Sequence, residues 1–223
     1  MTPALGLVVL ISGRGSNLLA IADAIAAGQL VARIDLVLSN RPDSVGLKLA
    51  AERGLATAVV DHQSFASRDE FDRALQQRVA EADPGLVVLA GFMRLLGADF
   101  VTQYAGRLVN VHPSLLPAYP GLDTHRRVLA AGDPQHGCSV HYVTLDVDAG
   151  PVIRQCAVPV LAADDEKALA QRVLQAEHQL YPEALALIAE GRVGLEKGQV
   201  TLDGHLITPE ERRREWHETT AVS

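Results

Sequence analysis

Short apolar runs alternate with segments of helical spacing through the first half of the chain. Apolar runs bounded by Gly, Pro, Ser or Asn predict strands at residues 5–11, 34–38, 56–60, 86–89 and 108–112, and further on at 140–143 and 151–158. Helical spacing predicts helices at 18–27, 45–52, 65–82, and a long helical region at 164–190 that Pro182 interrupts. Such alternation is typical of βαβ units. We therefore expect an α/β fold, Rossmann-like, with an open, mostly parallel twisted sheet and helices on both faces.

The chain is expected to form a single domain over residues 1–208, followed by a charged C-terminal tail over 209–223. A length of 223 residues suits one domain with a small appendage. The Asp203-Gly204 pair predicts a short hairpin within 195–206. Residues 209–223 are highly charged at first and then lack an apolar pattern, which is typical of a solvated tail.

Composition narrows the class of protein. Hydrophobic residues make up 48% of the chain and aromatic residues only 4%, so the core is expected to consist of Leu, Val, Ala and Ile. The formal net charge of −7 disfavours a nucleic-acid partner, which would need clustered Lys and Arg. Two cysteines, Cys138 and Cys156, do not make a disulfide framework. The N-terminus has no basic segment and its apolar run is short, so we expect neither a signal peptide nor a membrane span, and a cytoplasmic protein.

The strongest candidates for catalytic residues lie at 110–117, in the stretch Asn-Val-His-Pro-Ser-Leu-Leu-Pro. Side chains alternate along a strand, so Asn110 and His112 are expected on the same side, and Pro113 is expected to end the pairing. An amide can stabilise an oxyanion, and an imidazole can move a proton near neutral pH. A carboxylate that stabilises the protonated imidazole is available downstream, and spacing alone does not choose between Asp146 and Asp148. The alternative is an ordinary turn with a buried histidine.

The segment Gly-Arg-Gly-Ser-Asn at residues 13–17 connects the first predicted strand to the first predicted helix. Backbone N–H groups at such a turn, together with the helix dipole, suit a single phosphate. The alternative is a plain turn in which Ser16 or Asn17 caps the helix. A dinucleotide fingerprint fits poorly because Leu18 occupies its third glycine position, and a Walker loop lacks its Gly-Lys-Ser/Thr.

Several potential metal ligands fall within a short span, but their spacing does not favour a metal site. No pair of histidines has the separation of a helical His-x-x-x-His site, and the cysteine has no second cysteine nearby. We expect no metal. The residues concerned are His112, His125, His136, His141 and Cys138.

The motifs together closely resemble the phosphoribosylglycinamide formyltransferases, folate-dependent enzymes of purine synthesis. The resemblance runs in order from the first strand to about residue 182, and the combination of the first and third motifs is the selective part. The motifs are Ile-Ser-Gly-Arg-Gly-Ser-Asn-Leu at 11–18, Ala-Gly-Phe-Met-Arg-Leu-Leu at 90–96, the stretch at 110–117, and Asp-Ala-Gly-Pro-Val-Ile at 148–153.

The resemblance implies roles for individual residues. Asn110, His112 and Asp148 match the family's catalytic residues, which selects Asp148 over Asp146. Gly15, Ser16 and Asn17 match the loop that holds the phosphate of the substrate, and Glu177 matches a helix glutamate near its glycinamide end. The folate-contacting positions are Arg68, Met93, Arg94, Leu95, Leu96 and Asn110.

The expected activity is transfer of the formyl group from 10-formyltetrahydrofolate to the amine of phosphoribosylglycinamide, without a metal. The partners implied are these small molecules, with a homodimer left open. Two positions depart from the family pattern, Asp123 where many relatives have His and Cys138 where many have Thr.

Three rival activities are also considered. Methionyl-tRNA formyltransferases normally carry a further C-terminal domain, and formyltetrahydrofolate deformylases a further N-terminal one; neither is expected here. A non-catalytic nucleotide-sensing module would not need the three catalytic residues.

Overall fold

The computed structural model of the chain describes residues 3–216. The strands in this part are β1 Leu5–Ile11, β2 Ala32–Ser39, β3 Thr57–Val59, β4 Leu86–Leu89, β5 Leu108–His112, β6 Gln135–Tyr142, β7 Val152–Pro159, β8 Val193–Glu196, β9 Gln199–Leu202, β10 His205–Leu206 and β11 Arg213–Glu215. The α-helices are α1 Ser16–Ala26, α2 Val45–Glu52, α3 Arg68–Ala80, α4 Ala98–Gln103, α5 Thr124–Ala131, α6 Glu166–Ala189 and α7 Pro209–Arg212, and His62–Ser64 form a 3₁₀ turn.

Eight strands form one mixed sheet in the order β3-β2-β1-β4-β5-β6-β7-β11. The pairs from β3 to β5 are parallel, as is β7 with β11, whereas β6 runs antiparallel to both of its neighbours. The mostly parallel sheet predicted from the sequence is therefore confirmed. The chain adds β2 and β3 on one side of β1, and β4 and β5 on the other. This change of direction creates a crevice at the carboxyl ends of β1 and β4, where open α/β sheets bind ligands.

Alternate residues of strand β1 pack into two separate hydrophobic cores, one on each face of the sheet. Leu7, Val9 and Ile11 face the core shared with α1, α2, α5 and α6, whereas Val8 and Leu10 face the core built with α3 and α4. All five side chains are fully buried. Helices thus cover both faces of the sheet, as the continuous apolar runs predicted.

The longest helix departs from the prediction. Helix α6 continues through Pro182 without a break, although proline removes one backbone hydrogen bond. Tertiary packing outweighs this loss, because the helix lies against β6, β7, α1 and α5. The hydroxyl of Tyr181, which is fully buried, also lies 3.1 Å from the carbonyl oxygen of Leu89 and 3.2 Å from that of Val109.

The C-terminal part differs from the sequence-based expectation in two ways. The predicted hairpin is a three-stranded antiparallel sheet of β8, β9 and β10. The expectation of a solvated tail is wrong for residues 209–216. Helix α7 begins with a capping box at Thr208, and β11 pairs with β7. The backbone N–H of Trp216 donates to the backbone carbonyl oxygen of Ala157 at 2.8 Å. The remainder of the predicted tail, 217–223, lies outside the described residues.

Among residues 3–216, no helix combines the length and the apolar character needed to cross a membrane.

Candidate active site

His112 and Asp148 meet at the carboxyl edge of the sheet. His112 is the last residue of β5 and is 6% exposed, and Asp148 lies in the loop between β6 and β7. Nδ1 of His112 lies 3.3 Å from Oδ2 of Asp148. The same oxygen accepts the backbone N–H of Gly121 at 2.8 Å, which fixes the carboxylate. Asp148 has a φ of 53°, an uncommon conformation for a non-glycine residue, so the loop holds it in a specific position.

Both ring nitrogens of His112 face oxygen acceptors. Nε2 lies 3.0 Å from the carbonyl oxygen of Tyr119, on the side of the ring away from Asp148. A carbonyl and a carboxylate only accept hydrogen bonds, so the ring satisfies both contacts when both nitrogens carry protons. These two contacts fix the orientation of the His112 ring.

Asn110 is held by a second histidine that lies directly across the sheet. The antiparallel register pairs Asn110 of β5 with His141 of β6, and Nδ2 of Asn110 lies 3.3 Å from Nε2 of His141. Nδ1 of His141 lies 2.9 Å from the carbonyl oxygen of Tyr142 and donates to it. Burial lowers the pKa of His141, so its Nε2 is free of a proton and accepts from the amide of Asn110. This contact orients the amide group of Asn110.

The predicted anion-binding loop opens α1. Gly15 has a φ of 73° and precedes the helix, and no side chain caps its N-terminus. The alternative, in which Ser16 or Asn17 caps the helix, is therefore wrong, and the first N–H groups of the helix remain for a ligand. A Cβ on Gly15 would lie 2.6 Å from Cα of Gly46 in α2, so glycine is required where the loop and α2 touch.

Glu177 lies beside this loop in a buried position on α6. Nδ2 of Asn17 donates to Oε2 of Glu177 at 2.7 Å. Burial raises the pKa of Glu177 to about 7, although the hydrogen bond from Asn17 opposes this shift. Oδ1 of Asn17 is buried and has no hydrogen-bond partner within residues 3–216, which leaves an acceptor for a donor group of a ligand.

Replacing Glu177 with glutamine is expected to flatten the pH dependence of stability. Between pH 4.5 and about 7 the folded protein holds a proton that the unfolded chain releases, so this group lowers stability as pH rises through that window. Across this pH window, ionisation of Glu177 lowers the free energy of unfolding by about 3 kcal/mol. Chemical denaturation at pH 5 and pH 8 measures it. Glu183→Gln, on the exposed side of the same helix, should keep the wild-type dependence. Equal dependence in Glu177→Gln and the wild type would refute the argument.

Two cavities flank the strand that carries Asn110 and His112. The larger, about 690 Å³, contains the loop at 12–17, His125 and Glu177. The smaller, about 230 Å³, contains Asn110, Asp148 and apolar side chains from the loops that follow β4 and β6. Arg94 borders both cavities. Two different molecules can therefore bind in neighbouring cavities, of which the smaller is lined by Asn110 and Asp148.

All but one of the predicted folate-contacting residues line the smaller cavity: Arg68, Arg94, Leu95, Leu96 and Asn110. Met93 is 75% exposed and Leu95 is 59% exposed, whereas Leu96 packs against the core. Nη2 of Arg68 donates to the carbonyl oxygen of Leu95 at 3.0 Å. Arg94 lies over the ring of Phe71 at 5.2 Å. Met93 lines the larger cavity, on the side next to Ser12.

The candidate metal ligands do not gather around one point. Within the described part of the chain, no three His, Cys, Asp or Glu side chains are arranged to hold a metal ion. His125 and His136 instead form a pair, with Nδ1 and Nε2 3.0 Å apart. Burial lowers the pKa of His136 to about 4. Cys138 is fully buried and burial raises the pKa of its thiol, whereas Asp123 is exposed at the N-terminus of α5 and pairs with Arg126 at 2.5 Å.

Three contributors to the site were missed by sequence reasoning. His141 appeared only as a candidate metal ligand, although an antiparallel partner for β5 would have brought it opposite Asn110. Tyr119 and Gly121 act through backbone groups, which leave no signal in residue type. The φ of 54° at Tyr119 and the contact of Arg127 over its ring, at 5.3 Å, hold that carbonyl in place.

Comparison with known proteins identifies the family. The family model described as formyl transferase matches residues 5–185. The chain belongs to the formyl transferase family. It is 47% identical to phosphoribosylglycinamide formyltransferase of Escherichia coli (strain K12) over 206 residues, which cover 92% of this chain and 97% of that protein.

Two further comparisons agree with this assignment. The chain is 48% identical to trifunctional purine biosynthetic protein adenosine-3 of Drosophila melanogaster, over 82% of this chain and 14% of that longer protein. A solved structure of phosphoribosylglycinamide formyltransferase from Coxiella burnetii, in complex with CHES, superposes with a TM-score of 0.89 at 48% identity. That match covers 94% of this chain and 98% of the other. The solved relative therefore shares the fold described above.

Proposed function

We propose that this protein transfers the formyl group of 10-formyltetrahydrofolate to the amine of 5'-phosphoribosylglycinamide, giving formylglycinamide ribonucleotide and tetrahydrofolate in de novo purine synthesis. The observation that carries the proposal is the smaller cavity, lined by Asn110 and by Asp148 beside His112, next to the larger cavity that contains the loop at 12–17. One cavity contains an anion-binding helix terminus and the other a mainly apolar wall. This division suits a phosphorylated amine on one side and a pterin on the other.

The reaction needs a donor for a developing oxyanion. The uncharged amine attacks the formyl carbon, a C–N bond forms, and the electron pair of the carbonyl moves to its oxygen. The side chains of Asn110 and His112 lie on the same face of β5, and the Nδ2–H of Asn110 that does not face His141 would donate to that oxygen. One such preorganised donor contributes about 3 kcal/mol to the barrier reduction. His141 keeps this donor oriented, and Asp148 holds the ring of His112 beside it.

Two protons must also move. The attacking nitrogen loses a proton, and N10 of the folate gains one as the bond between N10 and the formyl carbon breaks. His112, held in place by Asp148 and Tyr119, gives a proton to N10 and recovers one from the amine. The balance needs no metal and no covalent bond to the protein.

The phosphate of the substrate would bind the backbone N–H groups of Gly15, Ser16 and Asn17. Glu177 and the unpartnered Oδ1 of Asn17 would then accept hydrogen bonds from the N–H and O–H groups of the substrate. On the other side, the folate would lie against residues 93–96, with Asn110 at its formyl group. Arg68 and Arg94 would attract the carboxylates of its glutamate.

The remaining assignments follow from this function. We propose a cytoplasmic enzyme that acts as one domain over residues 1–208, on small molecules alone. Association into a homodimer is a separate proposal, tested by sedimentation of the purified protein. Formylation of initiator methionyl-tRNA is disfavoured by the net charge of −7, and hydrolysis of the folate by the anion-binding loop.

A crystal structure with phosphoribosylglycinamide and a non-reactive folate analogue tests the arrangement. The phosphate is expected within hydrogen-bond distance of the N–H groups of residues 15–17, with the pterin against 93–96. A phosphate bound elsewhere, or a pterin in the larger cavity, would contradict the proposed function.

A further inference from the structure

Ser12 and Asn40 form a buried polar pair at the carboxyl edge of the sheet. The register pairs Ile11 with Ser39, so the next residue of each strand lies side by side. Ser12 is 6% exposed and Asn40 is 3% exposed. Oγ of Ser12 lies 2.6 Å from Oδ1 of Asn40. Buried polar side chains are costly unless their hydrogen bonds are made, so this pair has a defined geometry.

The same hydroxyl also binds the loop that follows β4. The backbone N–H of Met93 donates to Oγ of Ser12 at 2.8 Å, and the N–H of Ser12 donates to the carbonyl oxygen of Gly91 at 3.1 Å. Because Oγ of Ser12 already accepts from Met93, its single proton is donated to Oδ1 of Asn40. Ser12 thus links the loop that follows β4 to Asn40.

This donation fixes which way the amide of Asn40 points. Oδ1 faces Ser12, so the NH₂ group faces the opposite side, toward the larger cavity that Asn40 lines. His62 lies there, and its Nδ1 donates to the backbone oxygen of Asn40 at 2.7 Å. The proton on that Nδ1 prevents it from accepting from Nδ2 of Asn40, which lies 3.3 Å away. The amide hydrogens therefore remain available to an acceptor in the cavity.

We propose that the Ser12–Asn40 pair is a positioning relay, in which Asn40 donates to a phosphate oxygen of the substrate and Ser12 fixes the Met93 backbone, from which residues 94–96 continue into the smaller cavity. The inference rests on the proposed function. It assigns Asn40 a contact that the helix terminus at 15–17 does not supply, because backbone N–H groups approach the phosphate from one side only. It also gives the two substrate sites a shared structural element.

Asn40→Asp provides the sharpest test of the phosphate contact. The aspartate keeps an acceptor for Ser12 and replaces the NH₂ donor by a negative oxygen. The KM for phosphoribosylglycinamide is expected to rise about tenfold or more, with a smaller change in kcat. The dephosphorylated ribosyl-glycinamide should show less than about a threefold rise. Asn40→Ala, which adds no charge, should raise the KM for phosphoribosylglycinamide about tenfold.

Ser12→Ala tests the link to the folate side. Loss of the hydroxyl is expected to raise the KM for 10-formyltetrahydrofolate about fivefold. Ser44→Ala is the matched control, because Ser44 is equally buried and its hydroxyl donates to Gly13 of the same loop at 2.9 Å without contacting Met93. That variant should keep the wild-type folate KM.

The outcomes separate the two proposals. Equal changes for the phosphorylated and dephosphorylated substrates in both Asn40 variants, or equal folate KM values in Ser12→Ala and Ser44→Ala, would overturn the relay. A wild-type protein that formylates neither ribosyl substrate would overturn the proposed function instead.

Discussion

Replacing His112 with alanine is expected to lower kcat about a hundredfold to ten-thousandfold, the usual range for a general acid–base group. The loss arises because His112 moves the proton from the attacking amine to N10. The KM values should change far less, because the phosphate loop and the pterin wall lie on other elements. Steady-state kinetics with both substrates varied measures the two constants separately.

Loss of fold is the alternative explanation for such an effect, since His112 is buried. His178→Ala controls for it, because His178 is a partly buried imidazole on α6 that lies beside a different groove, away from Asp148. That variant should keep its kcat. A His112→Ala protein with near-wild-type kcat would contradict the mechanism whatever its thermal stability.

Replacing Asp148 with asparagine is expected to reduce kcat about tenfold to hundredfold. The amide oxygen can still accept the N–H of Gly121, but the negative charge that faces Nδ1 of His112 is lost. A hydrogen bond to a charged group contributes about 1.5–3 kcal/mol, which sets this range. Kinetics of the purified variant measures the loss.

Asp146→Asn is the matched control for Asp148→Asn. Asp146 lies two residues earlier in the same loop and is exposed. Its kcat should stay within about twofold of the wild type, as is usual for exposed positions. Equal losses in both variants would show that loop charge in general, rather than the contact with His112, supports turnover.

The main sheet was predictable because its strands carry continuous apolar runs. The runs at 5–11 and 86–89 match β1 and β4 to the residue, since burial on both faces requires apolar side chains at every position. Strand β11 was not predictable, because Arg213–Glu215 has no apolar residue and is held by backbone pairing with β7. Arg214 adds an ion pair with Glu183 at 3.3 Å. Such edge contacts depend on tertiary placement and leave no periodic signal.

The candidate site was predictable to the extent that its side chains lie close in sequence or follow a strand. The period of two in β5 was sufficient to place Asn110 and His112 together. The choice of Asp148 over Asp146 needed the resemblance. Asp148 lies in a loop with a left-handed backbone conformation, so the direction of its side chain does not follow from a regular period in the sequence. The backbone oxygen of Tyr119, which holds Nε2 of His112, carries no side-chain signal at all.

The most direct test supplies purified protein with 10-formyltetrahydrofolate and three acceptors in turn: phosphoribosylglycinamide, initiator methionyl-tRNA, and water alone. We predict that tetrahydrofolate release with phosphoribosylglycinamide exceeds both other rates by about a hundredfold or more, as expected for a site built around one acceptor. The formyl group should appear on the glycinamide amine in equal amount. Release that is as fast with methionyl-tRNA or with water alone would contradict the account.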